Sequence, residues 1–465
     1  MKCPNCSAEL KFSAKDKQVK CEYCGSLFKP EDLKEKKVSK SKKQKAIDAP
    51  EGHSYQCNEC GAKLLTFDDT AVTFCSYCGS QAILEDKFDE GIDPKFIIPF
   101  GITKEQAIAK YISKVNKSMF APKYLKDTNI VNKFRGIYMP YGVYHVGHHG
   151  PTRNKGEKYD KRVGDYVYYN QYSISADVNT EYTGITYDLS SKFYDAYSQA
   201  VRHNFKNAVP FEYSYLAGFY VDSPDVPEEV YAEDAAEEVA GDAGRKMAQD
   251  KIFSKHGCSN PVCSMSLIEV EKALLPVYFM SFKDKDGKNI HYAVVNAETG
   301  DVTFDTPISY IKYIIFAFIA ALLLFLLIDN FFVFTPKTLL IVTAIISFIC
   351  IFISNNRLNR IKDKENLEDD KGYMAVKDGF YPHAPKKKKQ RKGKFKYLFK
   401  PILATIIAII ACLIPGLIQD EILYIANIVS FVFLLLCFID LLKEHNMICK
   451  RKLPQLEKRG GLKNE

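Results

Sequence analysis

The chain has 465 residues and a net charge of +8, with 14 cysteines, 29 tyrosines, 31 phenylalanines and no tryptophan. This length exceeds one ordinary domain and predicts about three folded units. The sequence has no phosphate-binding loop, nucleophile elbow, zinc-protease motif or kinase signature, which argues against an ATPase, hydrolase or protease. We therefore expect a protein that is not an enzyme.

Eight of the cysteines form two copies of one pattern. In each copy a C-x2-C pair is followed, after fourteen residues, by a second C-x2-C pair and a glycine. The first copy contains Cys3, Cys6, Cys21 and Cys24, and the second contains Cys57, Cys60, Cys75 and Cys78. Two such pairs, brought together by a short hairpin, form the closed four-thiolate shell that structural zinc prefers.

The pattern predicts two zinc ions per chain, each without an open position for a catalytic water. Iron in a rubredoxin-like site and dithiol chemistry are the alternatives. We expect positive φ at Gly25 and Gly79, which follow the second pairs. Tyr23 and Tyr77, inside those pairs, are expected to cover the sites. A ribbon this small has little core, so metal binding and folding are one event.

The segments around the cysteines indicate a reducing environment. No apolar segment precedes Cys3, so we expect no signal peptide and a cytoplasmic location for the thiolates. Seven lysines in residues 34–45 predict a flexible, solvated tether between the ribbons. A phosphate-binding arm is the alternative reading of this run.

From about residue 92 the composition becomes that of a globular α+β domain. Thr103 and Gln106 predict a capping box, and Ala107, Tyr111 and Val115 share one face of the helix that follows. A second helix is predicted to open at residue 227, with acidic residues in its first turn.

Alternating aromatic and aliphatic residues predict the strands of this domain. Strands are expected over 134–147, in two segments of 165–187, and near 264–272, 274–282 and 289–296. Pro140 indicates an edge or a bulge in the first of them.

Four apolar runs occupy the last third of the chain, at 308–328, 338–354, 401–418 and 422–442. Each approaches the roughly 20 residues that a helix needs to cross a bilayer, so we predict four spans in two hairpins. Lysine and arginine concentrate in the loop 355–400 and in the C-terminal tail. The positive-inside rule therefore places both termini and the long loop in the cytoplasm.

Two groups of possible metal ligands carry weaker signals. His145, His148 and His149 can bind a metal, but a strand places His148 on the opposite side from the other two, and ordinary solvated histidines are the expected reading. Cys258 and Cys263, near His256, are expected to be structural thiols in a turn. The alternative is a third metal or thiol site.

Other polar and aromatic residues also allow two readings. Asn427 and Asp440 in the last span can line a transport path, but helix pairing and snorkelling are expected. The tyrosines of 159–187, mixed with Lys161 and Arg162, can stack nucleobases, but packing within a sheet is expected. The lysine-rich block at 386–396 is compatible with both lipid headgroups and nucleic acid.

The Cys-Pro-Asn-Cys and Cys-Glu-Tyr-Cys-Gly knuckles resemble a zinc ribbon of the transcription-factor-IIB type. Together with the stretches 98–107, 136–141, 275–278 and 295–300, they make residues 1–307 similar to a group of uncharacterised bacterial membrane proteins with N-terminal ribbons. Some members carry a replication-restart helicase label, which does not transfer here because the nucleotide-binding motifs are missing. The resemblance implies an architecture and no activity.

The predicted organisation is ribbon 1 at 1–30, a basic linker at 31–52, ribbon 2 at 53–90, a cytoplasmic α+β domain at 91–307, a transmembrane hairpin at 308–354, a basic loop at 355–400, a second transmembrane hairpin at 401–442 and a tail at 443–465.

We interpret the chain as a multi-pass cell-membrane protein whose cytoplasmic part is a binding or scaffold platform. Its expected partners are the lipid bilayer and another protein. A membrane-tethered nucleic-acid binder and a transport accessory or small transporter are the alternatives. These patterns do not predict the oligomeric state.

Overall fold

The computed structural model of the chain describes residues 1–33, 52–57, 60–66, 75–78, 83–88, 93–201, 203–283, 289–329, 335–365, 370–378, 396–413, 420–449 and 451–452. The lysine-rich tether at 34–45 lies outside the described residues. So does the lysine-rich block at 386–396, except for its last residue.

The strands of the described residues follow one another from the first ribbon to the C-terminal tail. They are β1 (Leu10–Ser13), β2 (Gln18–Cys21), β3 (Leu27–Phe28), β4 (Gly52–Cys57), β5 (Lys63–Thr66), β6 (Ile83–Phe88), β7 (Phe96–Ile97), β8 (Arg135–Val163), β9 (Tyr166–Asp188), β10 (Val209–Pro210), β11 (Tyr220–Asp222), β12 (Ser266–Lys283), β13 (Asn289–Asn296), β14 (Val302–Phe304) and β15 (Arg451–Lys452).

The helices are few in the first 300 residues and dominate the remainder. They are α1 (Lys104–Lys117), α2 (Thr128–Val131), α3 (Asp195–Ser198), α4 (Ala232–Gln249), α5 (Lys251–Lys255), α6 (Tyr310–Asp329), α7 (Pro336–Glu365), α8 (Lys371–Asp378), α9 (Lys396–Leu413) and α10 (Asp420–Ile448).

Helix α1 confirms the capping-box prediction. The Thr103 hydroxyl accepts from the Gln106 backbone N–H, and the Gln106 side chain accepts from the Thr103 backbone N–H. Ala107, Tyr111 and Val115 are buried on one face, as their spacing predicts. The helix predicted at residue 227 begins with a 3-10 turn and continues as α4.

Ribbon 1 has its own three-stranded sheet, in the order β1-β2-β3. The sheet packs against residues 213–219 of the α+β region. The Phe12 ring lies 5.4 Å from the Tyr215 ring, and the Phe12 backbone N–H donates to the Ala217 carbonyl oxygen at 3.0 Å. Ribbon 1 is therefore docked on the larger unit while keeping a separate sheet.

The strands of ribbon 2 belong to the large sheet. The twelve described strands other than β1, β2 and β3 form one sheet along the path β10-β7-β12-β8-β11-β5-β4-β6, with β9 beside β8 and with β13, β14 and β15 beyond β12. Strand β5 of ribbon 2 pairs with β11, and β11 pairs in parallel with β8. The sheet thus runs across the predicted boundary between ribbon 2 and the α+β domain.

Three strands are longer than the sequence analysis predicts. The two strands expected at 264–272 and 274–282 are the single strand β12, and the two expected in 165–187 are the single strand β9. Strand β8 extends to Val163 and forms a long hairpin with β9. The sequence wrongly predicted a break within β9 and within β12. These strands belong to a wide sheet, whose cross-strand hydrogen bonds hold polar and irregular segments in an extended conformation.

Pro140 lies inside the sheet and not at an edge. It is paired with Leu274 on one side of β8. On the other side, pairing to β11 ends at Tyr138 and pairing to β9 begins at Tyr141. On that side of β8, Pro140 therefore lies between the end of β11 and the start of β9. No strand there requires the backbone N–H that proline lacks.

From residue 310 onward, the described residues of the four predicted apolar runs are helical. Helices α7, α9 and α10 pack on one another, with Leu340, Ala408 and Leu423 buried together near one end. Among the described residues, Pro336–Ile353 and Glu421–Lys443 are the two segments long and apolar enough to cross a membrane. Shorter apolar helical segments lie at Tyr310–Ala320 and Phe399–Ala411.

Helix α8 lies between α7 and α9 in the chain, but it packs on the soluble region. Its preceding residue Asp370 caps it by accepting the Tyr373 backbone N–H at 2.7 Å. The Lys371 backbone N–H donates to Asp195 at 3.1 Å, and the Lys371 ammonium pairs with Asp234. The segment that follows α7 is therefore tied to the sheet-rich unit.

Buried carboxyl groups lie at this contact. Asp188 is 1% exposed, and burial followed by the charges of Asp195 and Asp370 raises its pKa well above the usual range. Burial also raises the pKa of Asp195. A carboxyl whose pKa is higher in the folded than in the unfolded chain binds more protons when folded. It therefore opposes folding increasingly as the pH rises above about 3.9.

We expect Asp188→Asn to raise the melting temperature of the full chain in detergent, and to raise it more at pH 8 than at pH 5. The substitution removes a group that must stay protonated or carry a buried charge. Asp242→Asn is the matched control, because hydrogen bonds from Lys246 and Tyr182 lower the pKa of Asp242 to about 2. That variant should lower the melting temperature equally at both pH values. Melting followed by circular dichroism checks this, and destabilisation of Asp188→Asn that grows with pH would contradict it.

Candidate metal centres

The four cysteines of ribbon 1 form one cluster, in which all sulfur atoms lie within 4.8 Å of one another. Cys3 Sγ is 3.7 Å from Cys24 Sγ, and Cys6 Sγ is 3.5 Å from Cys21 Sγ. Hydrogen bonds from the side chain and backbone of Ser26 lower the pKa of Cys24 to about 6. This favours the thiolate, which is the form that binds metal.

The four cysteines of ribbon 2 form an equivalent cluster. Cys57 Sγ is 3.5 Å from Cys78 Sγ, and Cys60 Sγ is 3.6 Å from Cys75 Sγ. Zinc–sulfur bonds of about 2.3 Å in a tetrahedron place the sulfurs roughly 3.8 Å apart. Both clusters therefore have the size and the all-sulfur donor set that fit zinc.

The four thiols of ribbon 2 shift one another's pKas in opposite directions. Hydrogen bonds from Cys60, Cys75 and Cys78 lower the pKa of Cys57. The hydrogen bond to Cys57, together with burial, raises the pKas of Cys60 and Cys75. Four thiolates this close repel one another, and a bound dication is what allows all of them to ionise.

The same backbone turn presents three of the four cysteine pairs. The N–H groups of Ser7, Gly25 and Gly61 donate to the carbonyl oxygens of the first cysteine of their pairs at 2.8–2.9 Å. These residues have positive φ, at 61°, 74° and 67°. The prediction for Gly25 is confirmed, and Gly79 lies outside the described residues. Ser7 and Gly61 were missed, although they hold the equivalent position after the second cysteine of a pair.

The two centres differ in their exposure. Cys24 is exposed and Cys6 is half-buried, whereas all four cysteines of ribbon 2 are buried. The tyrosine prediction holds for Tyr77, which is 0% exposed, and is wrong for Tyr23, which is 84% exposed. Ribbon 1 has solvent beside its second knuckle, while the second knuckle of ribbon 2 is enclosed by the large sheet.

Contacts to β8 and β12 enclose the second centre. The Tyr77 ring lies 5.3 Å from the Phe279 ring, and its hydroxyl donates to Met139 Sδ at 3.6 Å. The Ser281 hydroxyl donates to the Ser76 carbonyl oxygen. The second centre is thus part of the core of the sheet-rich unit.

The three histidines of the weaker motif bind separate partners. His145 Nε2 is 3.2 Å from Glu271, and His149 Nε2 is 3.0 Å from Glu181. His148 Nδ1 is 2.9 Å from the Ser264 carbonyl oxygen. Over the described ranges, no metal-sized group other than the two cysteine clusters is present.

Cys258 and Cys263 are buried in a small apolar cluster with Phe253 and Met247. Burial raises the pKa of Cys263, which favours its neutral thiol. The two thiols therefore have the structural environment that the sequence analysis expects of them.

The described residues thus define a class of architecture: two four-cysteine ribbons, a sheet-rich unit that contains the second ribbon, and C-terminal apolar helices. Among curated proteins, the chain is similar to the uncharacterized protein YdjG of Bacillus subtilis (strain 168). The two are 25% identical over 319 residues, which cover 66% of this chain and 90% of the relative. No family model and no solved structure matches the chain.

We expect the full chain, purified in detergent, to carry two zinc ions that differ in their release. A chelator should remove the ion of ribbon 1 quickly, because Cys24 is open to solvent, and the ion of ribbon 2 slowly. Elemental analysis gives the stoichiometry, and a colorimetric zinc dye gives the release time course. Iron in the protein, or a single release phase for both ions, would contradict this expectation.

The two centres should also differ in what their loss does to the fold. Cys24→Ser is expected to remove the fast zinc and leave the main melting transition in place. Cys75→Ser should abolish that transition, because metal binding on the order of 10 kcal/mol is lost from the core of the large sheet. Equal effects of the two variants on melting would show that the second centre does not support the sheet.

Proposed function

We propose that the protein is a membrane-anchored, non-enzymatic platform. In this proposal four helices cross the membrane, both termini are cytoplasmic, and two zinc ribbons of the transcription-factor-IIB type stand on the cytoplasmic face with the sheet-rich unit. The observation that carries the proposal is the set of contacts that fastens the sheet-rich unit to the ends of the apolar helices.

The first contact is at the beginning of α6. The Ser309 backbone N–H donates to the Phe120 carbonyl oxygen at 2.8 Å, and the Lys312 ammonium donates to the Ala121 carbonyl oxygen at 2.7 Å. The Phe120 ring packs against the Tyr313 ring at 5.4 Å. These contacts hold the first apolar helix at its N-terminal end, close to the soluble region.

The second contact is at the end of α10. The Asn446 side chain accepts from the Ile308 backbone N–H at 2.7 Å and donates to the Ile308 carbonyl oxygen at 2.9 Å. Strand β15, directly after α10, pairs with β13 of the large sheet. The first and last apolar helices therefore meet the soluble region at the ends nearest to it in the chain.

Helix α8 supplies the third contact, because it ties the segment after α7 to the same unit. The start of α6, the segment after α7 and the end of α10 all lie against the soluble region. This favours an even number of crossings between them, as two hairpins require. The concentration of lysine and arginine in the loop 355–400 and the tail favours the cytoplasm for this side.

The polar residues of α10 have structural partners. The Asn427 amide donates to the Pro336 carbonyl oxygen at 3.0 Å and to the Leu423 carbonyl oxygen at 2.9 Å. Asp440 pairs with the Lys400 ammonium at 2.5 Å. These contacts join α10 to α7 and α9, which supports an anchoring role for the helices over the transport alternative.

Reporter fusions test the topology. Fusions after Glu465 and within 365–395 should report the cytoplasm, and fusions near Asn330 and Asp420 should report the outside. The reason is that two hairpins return the chain to the side on which the sheet-rich unit is fastened. A cytoplasmic signal near Asn330 would mean that α6 and α7 do not form a spanning hairpin.

A pull-down tests the platform itself. The tagged full chain, solubilised from membranes in detergent, should retain a defined protein partner at constant stoichiometry, with and without nuclease treatment. Cys24→Ser, which disturbs only the exposed ribbon, is the matched variant for assigning that partner to ribbon 1. Loss of every partner upon nuclease treatment would favour the nucleic-acid alternative over a protein-binding platform.

A further inference from the structure

The end of the β8–β9 hairpin projects beyond the rest of the sheet. The sheet is held against residues 256–257 near Glu157, whose backbone N–H donates to the Gly257 carbonyl oxygen at 3.4 Å. A Cβ on Gly156 would lie 2.1 Å from the His256 carbonyl oxygen, so this close approach requires glycine. Within the described chain, the ring contacts and hydrogen bonds of residues 159–169 are with one another.

The cross-strand register divides the side chains of this projection between two faces. Residues directly opposite each other in an antiparallel pair point to the same side. The pairs Lys158–Asn170, Lys161–Tyr168 and Val163–Tyr166 define one side, which we call the Lys–Tyr face. The pairs Glu157–Gln171, Tyr159–Tyr169 and Arg162–Val167 define the opposite face. A bulge at residue 160 keeps both sets in register.

The Lys–Tyr face presents aromatic rings and cations to solvent. Tyr166 is 75% exposed and Tyr168 is 48% exposed. The Lys161 ammonium lies 6.0 Å from the centre of the Tyr168 ring. None of the cross-strand pairs of this face contains a carboxylate, whereas the opposite face has Glu157 and a tyrosine pair whose rings already pack edge to face. Packing within the sheet, the reading expected for these tyrosines, describes the Tyr159–Tyr169 pair but leaves Tyr166 and Tyr168 exposed.

Exposed tyrosines on a projecting two-stranded hairpin do not stabilise the fold and are typical of a binding surface. A two-stranded hairpin is only marginally stable in water, and clustered exposed apolar side chains mark interaction sites. We propose that the Lys–Tyr face binds single-stranded nucleic acid. Bases stack on Tyr166 and Tyr168, which lie two residues and roughly 7 Å apart along one strand, and Lys158 and Lys161 neutralise the adjoining phosphates.

Two other anionic partners fit the face less well. Double-stranded nucleic acid keeps its bases stacked inside the helix, where tyrosine rings have no base faces to contact. An anionic membrane approached by the hairpin end would first meet Asp165 in the turn, which repels the headgroups. A single strand can instead lie along the paired residues of the face and avoid Asp165 in the turn. This inference goes beyond the platform proposal, because it assigns one surface and one ligand class whether or not the helices cross a membrane.

The test uses the full chain in phosphatidylcholine nanodiscs and short fluorescein-labelled oligothymidylate and oligouridylate, read by fluorescence anisotropy. Both single strands should bind more tightly than a duplex of equal length. Tyr166→Ala and Tyr168→Ala should each weaken binding about tenfold, the value of one lost stacking contact. Lys158→Ala with Lys161→Ala should make the affinity less dependent on salt concentration.

Two matched double variants distinguish a loss of binding at the Lys–Tyr face from a loss of folding. Tyr166→Phe with Tyr168→Phe keeps the rings and should bind like the unaltered protein. Tyr159→Ala with Tyr169→Ala removes the same number of rings from the opposite face and should leave the affinity unchanged. Equal melting temperatures across the set show that each variant is folded.

Several outcomes would overturn the proposal. These are no binding of either single strand, equal affinity for the duplex, or equal losses from alanine substitutions on the two faces. Phosphatidylglycerol vesicles added separately provide a further arm. If they capture the protein through Tyr166 and Tyr168, and phosphatidylcholine vesicles do not, the face belongs to anionic lipid and the nucleic-acid assignment is wrong.

Discussion

Four cysteine thiolates in a buried position impose the constraint on which the soluble region depends. Strands β4 and β5 flank the first cysteine pair of ribbon 2, and β5 pairs with β11 in the large sheet. Four sulfurs in mutual contact repel one another as thiolates unless a cation holds them. The metal that fits this cluster would therefore fix the edge strands of the sheet as well as its own ribbon.

The two ribbons have the same cysteine spacing and different surroundings. Ribbon 1 contacts the rest of the protein through Phe12 and leaves Cys24 and Tyr23 at the surface. Ribbon 2 inserts Tyr77 between Phe279 and Met139 in the core. A metal site enclosed by a sheet exchanges slowly because the sheet must open first. The buried ribbon therefore suits support, and the exposed ribbon suits contact with other molecules.

Contacts between the ends of the apolar helices and the soluble region fix the orientation of the soluble region relative to the helices. Asn446 and Lys312 connect the ends of α10 and α6 to backbone groups near the large sheet, and α8 adds a contact through Lys371, whose backbone N–H donates to Asp195. A soluble unit held at several points cannot turn freely relative to these helices. A projecting hairpin such as β8–β9 would then be presented in a constant direction relative to them.

The sequence by itself determined the features that depend on near neighbours. These are the cysteine sets with their turn at Gly25, the capping box of α1 and the helical state of the described parts of the apolar runs, because each is set by local spacing. The tertiary structure alone decided that Tyr77 is buried while Tyr23 is exposed, that β8, β9 and β12 are long, and that Asp188 and Asp370 meet. Burial, strand pairing and the meeting of distant carboxylates depend on which segments the fold brings together, and no local pattern records that.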